Sequence, residues 1–165
     1  MKNIIKLMIA VFAAFATTAC MDEKAGNDST WTKAYEGVMT TTNQETSVSS
    51  TDNATITIYQ GSMFKNFIDI TISDVRFVPM MPDVEFIIKD MNFELAKVDD
   101  KNDPLYGTWA FNKAEVVPTS GGIPREEYTM RNFRGNISDE WIRLEFDVNV
   151  MGAVYHASFD SSEAE

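Results

Sequence analysis

The stretch Ile142–Val150 reads Ile-Arg-Leu-Glu-Phe-Asp-Val-Asn-Val, and it decides the fold class. Every second residue is apolar, and the residues between them carry charged or amide side chains. A period of two is typical of a β-strand with one dry and one wet face. Met151-Gly152 follows, and residues 153–159 resume the alternation. The pattern therefore predicts a hairpin with a tight turn at Met151-Gly152.

The same alternation recurs through the chain from Trp31 onward, and no segment of ten or more residues there shows a 3.6-residue period. We predict eight strands, at residues 33–42, 54–59, 68–78, 84–98, 106–117, 128–135, 141–150 and 153–160. No helix long enough for a crossover connection separates them, so neighbouring strands should be antiparallel. We expect an all-β fold, a single, mostly up-and-down barrel of about eight strands, with a β-sandwich as the alternative.

Two of these runs change the face of their apolar residues partway. The apolar positions shift from even to odd numbers at Ser73-Asp74 in the third run and at Lys89-Asp90 in the fourth. Each shift requires a β-bulge, a bend or a new strand, because a one-residue slip turns every side chain to the other face. We favour bulges, because neither site has the glycine that two-residue hairpin turns prefer. A tight turn that splits each run is the alternative.

The amino terminus carries the most specific motif. Lys2 and Lys6 bracket a short basic segment, and ten apolar residues, 7–16, follow it. This run is too short to span a bilayer but is typical of a secretory signal. Thr17-Thr18-Ala19-Cys20 then places small residues before the only cysteine. This order resembles the lipobox of bacterial lipoproteins, in which the cysteine is acylated, although Thr17 replaces the usual aliphatic residue. An ordinary signal peptide with Cys20 incidental is the alternative.

These features predict four segments in the chain. Residues 1–19 are a lipoprotein signal peptide, residues 20–30 a lipidated flexible tether, residues 31–161 the barrel and residues 162–165 a tail. The membrane is the expected partner, through the lipid anchor on Cys20. Asp22-Glu23 resembles the surface-export signal of Bacteroidetes lipoproteins. The expected location is therefore the outer membrane, either surface-exposed or facing the periplasm.

Charge and composition restrict the classes of function. Removal of residues 1–19 takes Lys2 and Lys6 away and leaves 12 basic against 25 acidic side chains, a net charge of −13. Nucleic acid is disfavoured as a partner, because its binding depends on Lys and Arg that neutralise phosphates. One cysteine permits no intramolecular disulfide, and a single histidine offers little for a zinc site or a histidine-centred catalytic site. We expect no cofactor.

The opening Ala34-Tyr35-Glu36-Gly37 and the closing run from Leu144 to Gly152, completed by Phe159, are loose structural motifs. With the hairpin-rich layout they resemble the calycin-like β-barrel lipoproteins of Bacteroidetes over residues 31–161. In that family an early Tyr-x-Gly opens the first strand and a Met-Gly hairpin ends the barrel. The resemblance implies a lipocalin-related barrel and brings no substrate or catalytic residue. Long loops expected at residues 42–51 and 99–104 depart from the family average.

Three polar features are candidates for chemistry, and each has a plainer interpretation. His156 lies opposite the apolar face of its strand, which predicts a surface or rim position. Residues 99–103, Asp-Asp-Lys-Asn-Asp, carry oxygen ligands that calcium would accept, but they lack the glycine and distal glutamate of an EF-hand and favour a solvated turn. Glu126 and Glu127, taken as neighbours on a strand, would point to opposite faces and could not form a glycosidase pair.

Methionine and tryptophan supply two further candidates. Methionines that recur near predicted strand ends could line an apolar pocket, although core filling is their commoner role. They are Met80, Met81, Met91, Met130 and Met151. We interpret the three tryptophans as core or rim anchors, with sugar-binding platforms as the alternative. They are Trp31, Trp109 and Trp141.

Two classes of function fit this chain. The first is a non-enzymatic cell-envelope binding module that holds a small apolar or amphipathic ligand in or at the mouth of the barrel. The alternative is a lipid-anchored protein–protein interaction module, such as an inhibitor of a secreted protease. An enzyme is disfavoured, because the sequence displays no nucleophile–base or metal constellation. An apolar cavity would favour the ligand binder, and a packed barrel with an exposed loop patch would favour a protein partner.

Overall fold

A computed structural model describes residues 31–60 and 66–161 of the chain. The predicted signal peptide, the lipid-attachment residue Cys20, the tether and the tail at residues 162–165 lie outside the described residues. The described part is almost entirely β-structure, as the alternating pattern predicts.

Eight antiparallel strands close into one barrel. Neighbours in sequence are paired around it, β3 pairs with β4, and β10 pairs back onto β1. The barrel strands are β1 (Trp31–Asn43), β2 (Ser49–Gln60), β3 (Phe67–Val75), β4 (Val84–Leu95), β5 (Trp109–Val116), β8 (Met130–Ile137), β9 (Ile142–Val150) and β10 (Ala153–Asp160). A short hairpin, β6 (Thr119–Ser120) and β7 (Ile123–Pro124), adds to β4 through the pair Ile87 and Thr119. The up-and-down barrel is confirmed, and the sandwich alternative is wrong.

The apolar face of every long strand points into the barrel. In β9 the predicted inward residues Leu144, Phe146 and Val148 are each 1% exposed, which confirms the prediction. The largest buried side chains are aromatic or β-branched, which suits a pleated, closed sheet. They include Phe77, Phe86, Phe133, Phe159, Ile56, Ile58, Ile70 and Ile72.

Both predicted bulges are present, and each lets its strand stay continuous. Between the pairs Ile72–Phe86 and Val75–Val84 the strand β3 has one extra residue, and Asp74 adopts a left-handed φ of 62°. Strand β4 has its own extra residue at the predicted Lys89-Asp90, where Asp90 has φ 55°. Aspartate tolerates this backbone region better than β-branched residues do.

A third bulge is not predicted by the sequence pattern. It lies in β8 between the register pairs Arg131–Asp147 and Arg134–Glu145, and Asn132 has φ 52° there. Within the predicted strand 128–135 only one large apolar residue, Phe133, follows the bulge, and one position is too few to reveal a change of period.

Several predicted boundaries are wrong. The connection expected at residues 42–51 is only the turn at residues 44–48, because threonine-rich strand ends extend β1 and β2. Residues 120–124, expected as a connection, form most of the β6–β7 hairpin. Strand β8 continues through Gly135, which was expected to begin a connection. A side chain at Gly135 would collide with the Phe111 ring and the carbonyl oxygen of Arg143, so this glycine serves close packing within the sheet.

The two ends of the barrel differ. The closed end is covered by the β3–β4 connection, which turns Phe77 inward so that it is fully buried. Its ring lies 5.7 Å from that of Phe86, 5.9 Å from that of Phe146 and 6.5 Å from that of Tyr128. Buried Thr41 of β1 donates a hydrogen bond of 3.2 Å to the Phe77 carbonyl oxygen, which holds this cover in place.

The opposite end we call the tryptophan end. Trp31 and Trp109 are the first residues of β1 and β5, and Trp141 immediately precedes β9. Strands β1, β5 and β9 run in the same direction around an up-and-down barrel, so all three tryptophans meet at this end. The indole Nε1 of Trp31 donates to the Gln60 side chain across the first strand pair. Trp31 is also the residue at which the predicted tether would join the barrel.

Candidate functional site

A cleft of about 500 Å³ opens at the tryptophan end, between the β4–β5 loop (residues 96–108) and the β8–β9 turn (residues 138–141). Its lining mixes aromatic and apolar side chains with polar ones. The residues are Leu95, Pro104, Tyr106, Gly107, Thr108, Trp109, Ser138, Asp139, Glu140 and Trp141. Both the volume and the mixed lining are typical of a site for a small amphipathic molecule.

The β8–β9 wall of the cleft is held by hydrogen bonds to Ser138. The amides of Glu140 and Trp141 donate to Ser138 Oγ at 3.1 and 2.9 Å. The Ser138 amide in turn donates to the Trp141 carbonyl oxygen at 2.8 Å. The turn therefore presents the side chains of residues 139–141 from a fixed backbone, which lowers the entropy lost when a ligand binds.

The β4–β5 wall is fixed in a similar way. The amide and the hydroxyl of Thr108 both donate to the Leu105 carbonyl oxygen, at 3.1 and 2.8 Å. The Leu105 amide donates to Asp103 Oδ1 at 2.8 Å, and the Ala96 amide donates to the Thr108 carbonyl oxygen at 2.8 Å. Tyr106 projects from this braced loop and is 48% exposed.

Tyr35 connects the barrel core to the cleft. Its ring is buried, and its phenol donates a 2.9 Å hydrogen bond to the Ser138 carbonyl oxygen. Burial, together with the negative charge of Asp139, raises the pKa of Tyr35 to about 12. The tyrosine of the opening Tyr-x-Gly motif therefore supports, from the core side, the β8–β9 turn that carries Asp139 and Glu140.

The barrel interior is filled by side chains. An internal cavity large enough for a ligand would leave its lining residues with surface that a water-sized sphere could touch. Instead Phe77, Phe133 and Phe146 are each 1% exposed or less, and the Phe133 and Phe146 rings are stacked with their centroids 5.6 Å apart. Phe111 extends the same row, 5.8 Å from Phe133. A ligand therefore has room at the mouth of the barrel rather than along this aromatic row.

His156 lies on the outer wall of the barrel, as predicted, and is 43% exposed. Its Nδ1 is 3.0 Å from Asp147 Oδ1 and its Nε2 is 3.8 Å from Glu145 Oε2. Hydrogen bonds from Asn132 and His156 outweigh partial burial and lower the pKa of Asp147. A hydrogen bond from Arg134 lowers the pKa of Glu145. Arg134 pairs with Glu145 at 3.0 Å and His156 contacts both carboxylates, so this cluster is a polar network on the sheet surface.

The other sequence candidates fall at separate places. Asp100 and Asp103 of the acidic loop accept hydrogen bonds from backbone amides two residues ahead, which is typical of solvated Asx turns. Glu126 and Glu127 precede the predicted strand at residues 128–135, and they are not the strand neighbours that the case against a glycosidase pair assumed. They lie in a 3₁₀ turn, residues Glu126–Tyr128, which follows the short hairpin; at its start the Arg125 amide donates a hydrogen bond to the Pro118 carbonyl oxygen. The described residues contain no cluster of three or more His, Cys, Asp or Glu that could hold a metal ion.

The methionines divide between the core and the loop tips. Met81, Met91 and Met130 are buried, whereas Met80 and Met151 are 95% and 92% exposed at the closed end. The tryptophans are half-buried rim residues, and Trp109 and Trp141 also line the cleft. Tyr106, Asp139 and Glu140 were not singled out from the sequence. The start positions of alternate strands could have indicated this end, because they place all three tryptophans together.

Comparisons with known proteins give no relative: no family model, curated protein or solved structure matches this chain. None of the described residues forms a helix long and apolar enough to cross a membrane.

Proposed function

We propose that this protein is a non-enzymatic binding module of the cell envelope that holds a small amphipathic ligand at the mouth of its barrel. The observation that carries the proposal is the braced, aromatic-walled cleft at the tryptophan end of a barrel whose interior is filled. The ligand site is therefore the space between the β4–β5 loop and the β8–β9 turn.

The second part of the proposal is location. Cys20, eleven residues before Trp31, is the proposed lipid-attachment site, and the resemblance to calycin-like lipoproteins of Bacteroidetes supports an outer-membrane anchor. A flexible tether of this length has a typical end-to-end distance of about 20 Å. Because the tether would join the barrel at Trp31, the anchor would be connected to the end of the barrel that carries the cleft.

Binding at the mouth is tested by ligand-observed NMR with the full-length protein in a maltoside detergent, against a panel of small amphipathic compounds. Tyr106→Ala combined with Trp141→Ala removes two aromatic walls of the cleft. Met80→Ala combined with Met151→Ala is the matched control, because it removes exposed apolar side chains at the closed end.

Compounds that bind the wild-type protein should lose binding to the cleft variant and keep it with the control. Compounds that bind both variants equally would place the ligand elsewhere, and a panel without any binding compound would contradict the proposal. The anchor is tested separately by Cys20→Ala, which should abolish palmitate labelling and release the protein from the membrane fraction. Unchanged labelling would contradict the lipid attachment.

A protein-binding module is the second candidate, and the closed end favours it. Apolar side chains project from its loop tips, with Met80, Met151 and Val48 at 95%, 92% and 67% exposed. Exposed apolar clusters mark protein interaction sites more often than single exposed residues do. A photo-crosslinking residue at Met151 should then capture one discrete envelope protein, for example a secreted protease, while the same residue at Tyr106 should not. Capture only from Tyr106 would contradict this candidate.

A further inference from the structure

The chemistry of the cleft specifies one class of ligand. We infer that the cleft binds an organic ammonium group, carried by an amphipathic molecule, between its carboxylates and its aromatic rings. This inference rests on the proposed binding function at the barrel mouth and names the group that is recognised there.

Asp139 and Glu140 place two negative charges at the cleft. Asp139 and Glu140 are exposed, and no ion pair between described residues involves either of them. Lys101 of the β4–β5 loop is an exposed cation at this end, and three other described cations here have acceptors of their own. Arg143 pairs with Asp160 at 2.8 Å, Lys97 pairs with Glu94 at 3.1 Å, and Lys33 Nζ lies 5.0 Å from the centre of the Tyr35 ring. A cationic ligand would therefore meet two carboxylates that form no ion pair within the described part of the chain.

Four hydrogen-bond donors of these walls are directed to acceptors of the protein itself. The amides of Glu140 and Trp141 point to Ser138 Oγ, and the amide and hydroxyl of Thr108 point to the Leu105 carbonyl oxygen. These hydrogen bonds within the walls consume donors that could otherwise face the cleft. An anion would have to approach the carboxylates without gaining those donors, which is electrostatically unfavourable.

Aromatic rings provide the second half of the recognition. Tyr106, Trp109 and Trp141 all line the cleft, and the faces of such rings attract cations, most strongly for tryptophan. Trp141 already holds one cation of the protein, since the Arg143 guanidinium lies 5.1 Å from the centre of its ring. Carboxylates and aromatic rings on facing walls are together the surroundings that favour an alkylammonium group over a neutral one of the same shape.

The test compares choline with 3,3-dimethyl-1-butanol, which has nearly the same shape and no charge. Tryptophan fluorescence of the full-length protein in a maltoside detergent measures the binding of each compound. We expect choline to bind about tenfold more tightly than the alcohol. Equal affinities would overturn the inference and leave binding at the barrel mouth standing, because the panel and the Tyr106 and Trp141 variants test that function independently.

Charge variants test whether choline contacts the cleft carboxylates or responds only to the overall negative charge of this end. Asp139→Asn combined with Glu140→Gln should weaken choline binding by about fivefold to tenfold and leave the alcohol unchanged. Asp99→Asn combined with Asp100→Asn is the matched control, because it removes two negative charges from the same end outside the cleft lining. It should change choline binding less than about twofold. Equal losses in both variants would overturn a contact between ammonium and the cleft carboxylates.

The source of the ammonium group is resolved with the protein in nanodiscs. If lipid headgroups reach the cleft, free choline should bind more weakly in phosphatidylcholine nanodiscs than in phosphatidylglycerol nanodiscs, because the headgroups compete. Equal choline affinities in the two lipids would assign a soluble ammonium compound as the ligand instead.

Discussion

The closed end and the tryptophan end of this barrel are built from the same kind of strand and differ in what fills them. At the closed end a loop inserts Phe77 into the core, where four aromatic rings pack around one another. At the tryptophan end the loops stand apart, brace themselves with internal hydrogen bonds and leave a cleft. One end therefore contributes to the free energy of unfolding, and the other contributes a preorganised surface.

The two ends show where a small filled barrel has room to bind a ligand. A barrel of eight strands is just wide enough to be filled by side chains or to hold one small ligand. Here the phenylalanine row from Phe111 to Phe77 uses that space. Binding is then left to the loops, and the tryptophan end, where the loops leave a cleft, is the better candidate.

The largest expected effect is on the free energy of unfolding, and it distinguishes a core residue from a cleft residue. Phe146→Ala should lower the free energy of unfolding by about 3–5 kcal/mol, because it leaves a cavity between Phe77 and Phe133. Trp141→Ala, at the half-exposed rim, should lower it by about 1 kcal/mol. Urea denaturation of both variants measures the difference. Similar losses for the two would mean that the tryptophan end is as important for stability as the closed end.

A smaller effect tests the cover of the closed end. Thr41→Val removes the buried hydroxyl that donates to the Phe77 carbonyl oxygen and should cost about 1–2 kcal/mol. Thr42→Val, one residue further along, removes an exposed hydroxyl that contacts Ser49 and should cost less than about 0.5 kcal/mol. The same urea experiment applies. Equal costs would show that the Thr41 hydrogen bond does not hold the cover.

Tyr35 tests the support of the cleft. Tyr35→Phe removes the hydrogen bond to the Ser138 carbonyl oxygen, and it should cost about 1 kcal/mol and weaken ligand binding at the mouth. The raised pKa of Tyr35 means that the folded state disfavours the phenolate. This contribution is fully present below the ordinary pKa near 10 and is lost as the pH rises towards about 12. Wild-type stability should therefore fall more than that of Tyr35→Phe between pH 10 and pH 12. Parallel pH profiles would contradict this role.

The smallest effect is expected on the outer wall between the two ends. The lowered pKa values of Asp147 and Glu145 give stability that is present above their ordinary values, 3.8 and 4.5, and is lost as the pH falls through the lower folded values. The pH-dependent loss of stability from pH 7 to pH 3 should be smaller for Asp147→Asn than for the wild-type protein. Chemical denaturation at both pH values measures it, and an equal loss would show that the hydrogen bonds to Asp147 do not favour its charged form.

Much of the fold follows from local patterns. The clean alternation of Ile142–Val150 fixed the inward face of β9, and Met151-Gly152 forms the expected two-residue turn with φ values of 54° and 88°. The shifts of the apolar positions from even to odd numbers at Ser73-Asp74 and Lys89-Asp90 correctly located two bulges. Such features are predictable because side-chain direction in a strand depends only on neighbouring positions.

The eight barrel strands, their inward faces and the hairpin order could be predicted from the sequence, since they depend on a period that each segment carries alone. Several strand ends and the β6–β7 hairpin could not. The tertiary structure decided the bulge at Asn132, the row of rings that fills the interior and the meeting of Asp139 and Glu140 with Tyr106 across the cleft. Tyr106 and Asp139 are separated by 33 positions in the chain and come together only because the barrel closes. Contacts of that kind depend on the register of many strand pairs at once, and no local pattern contains that information.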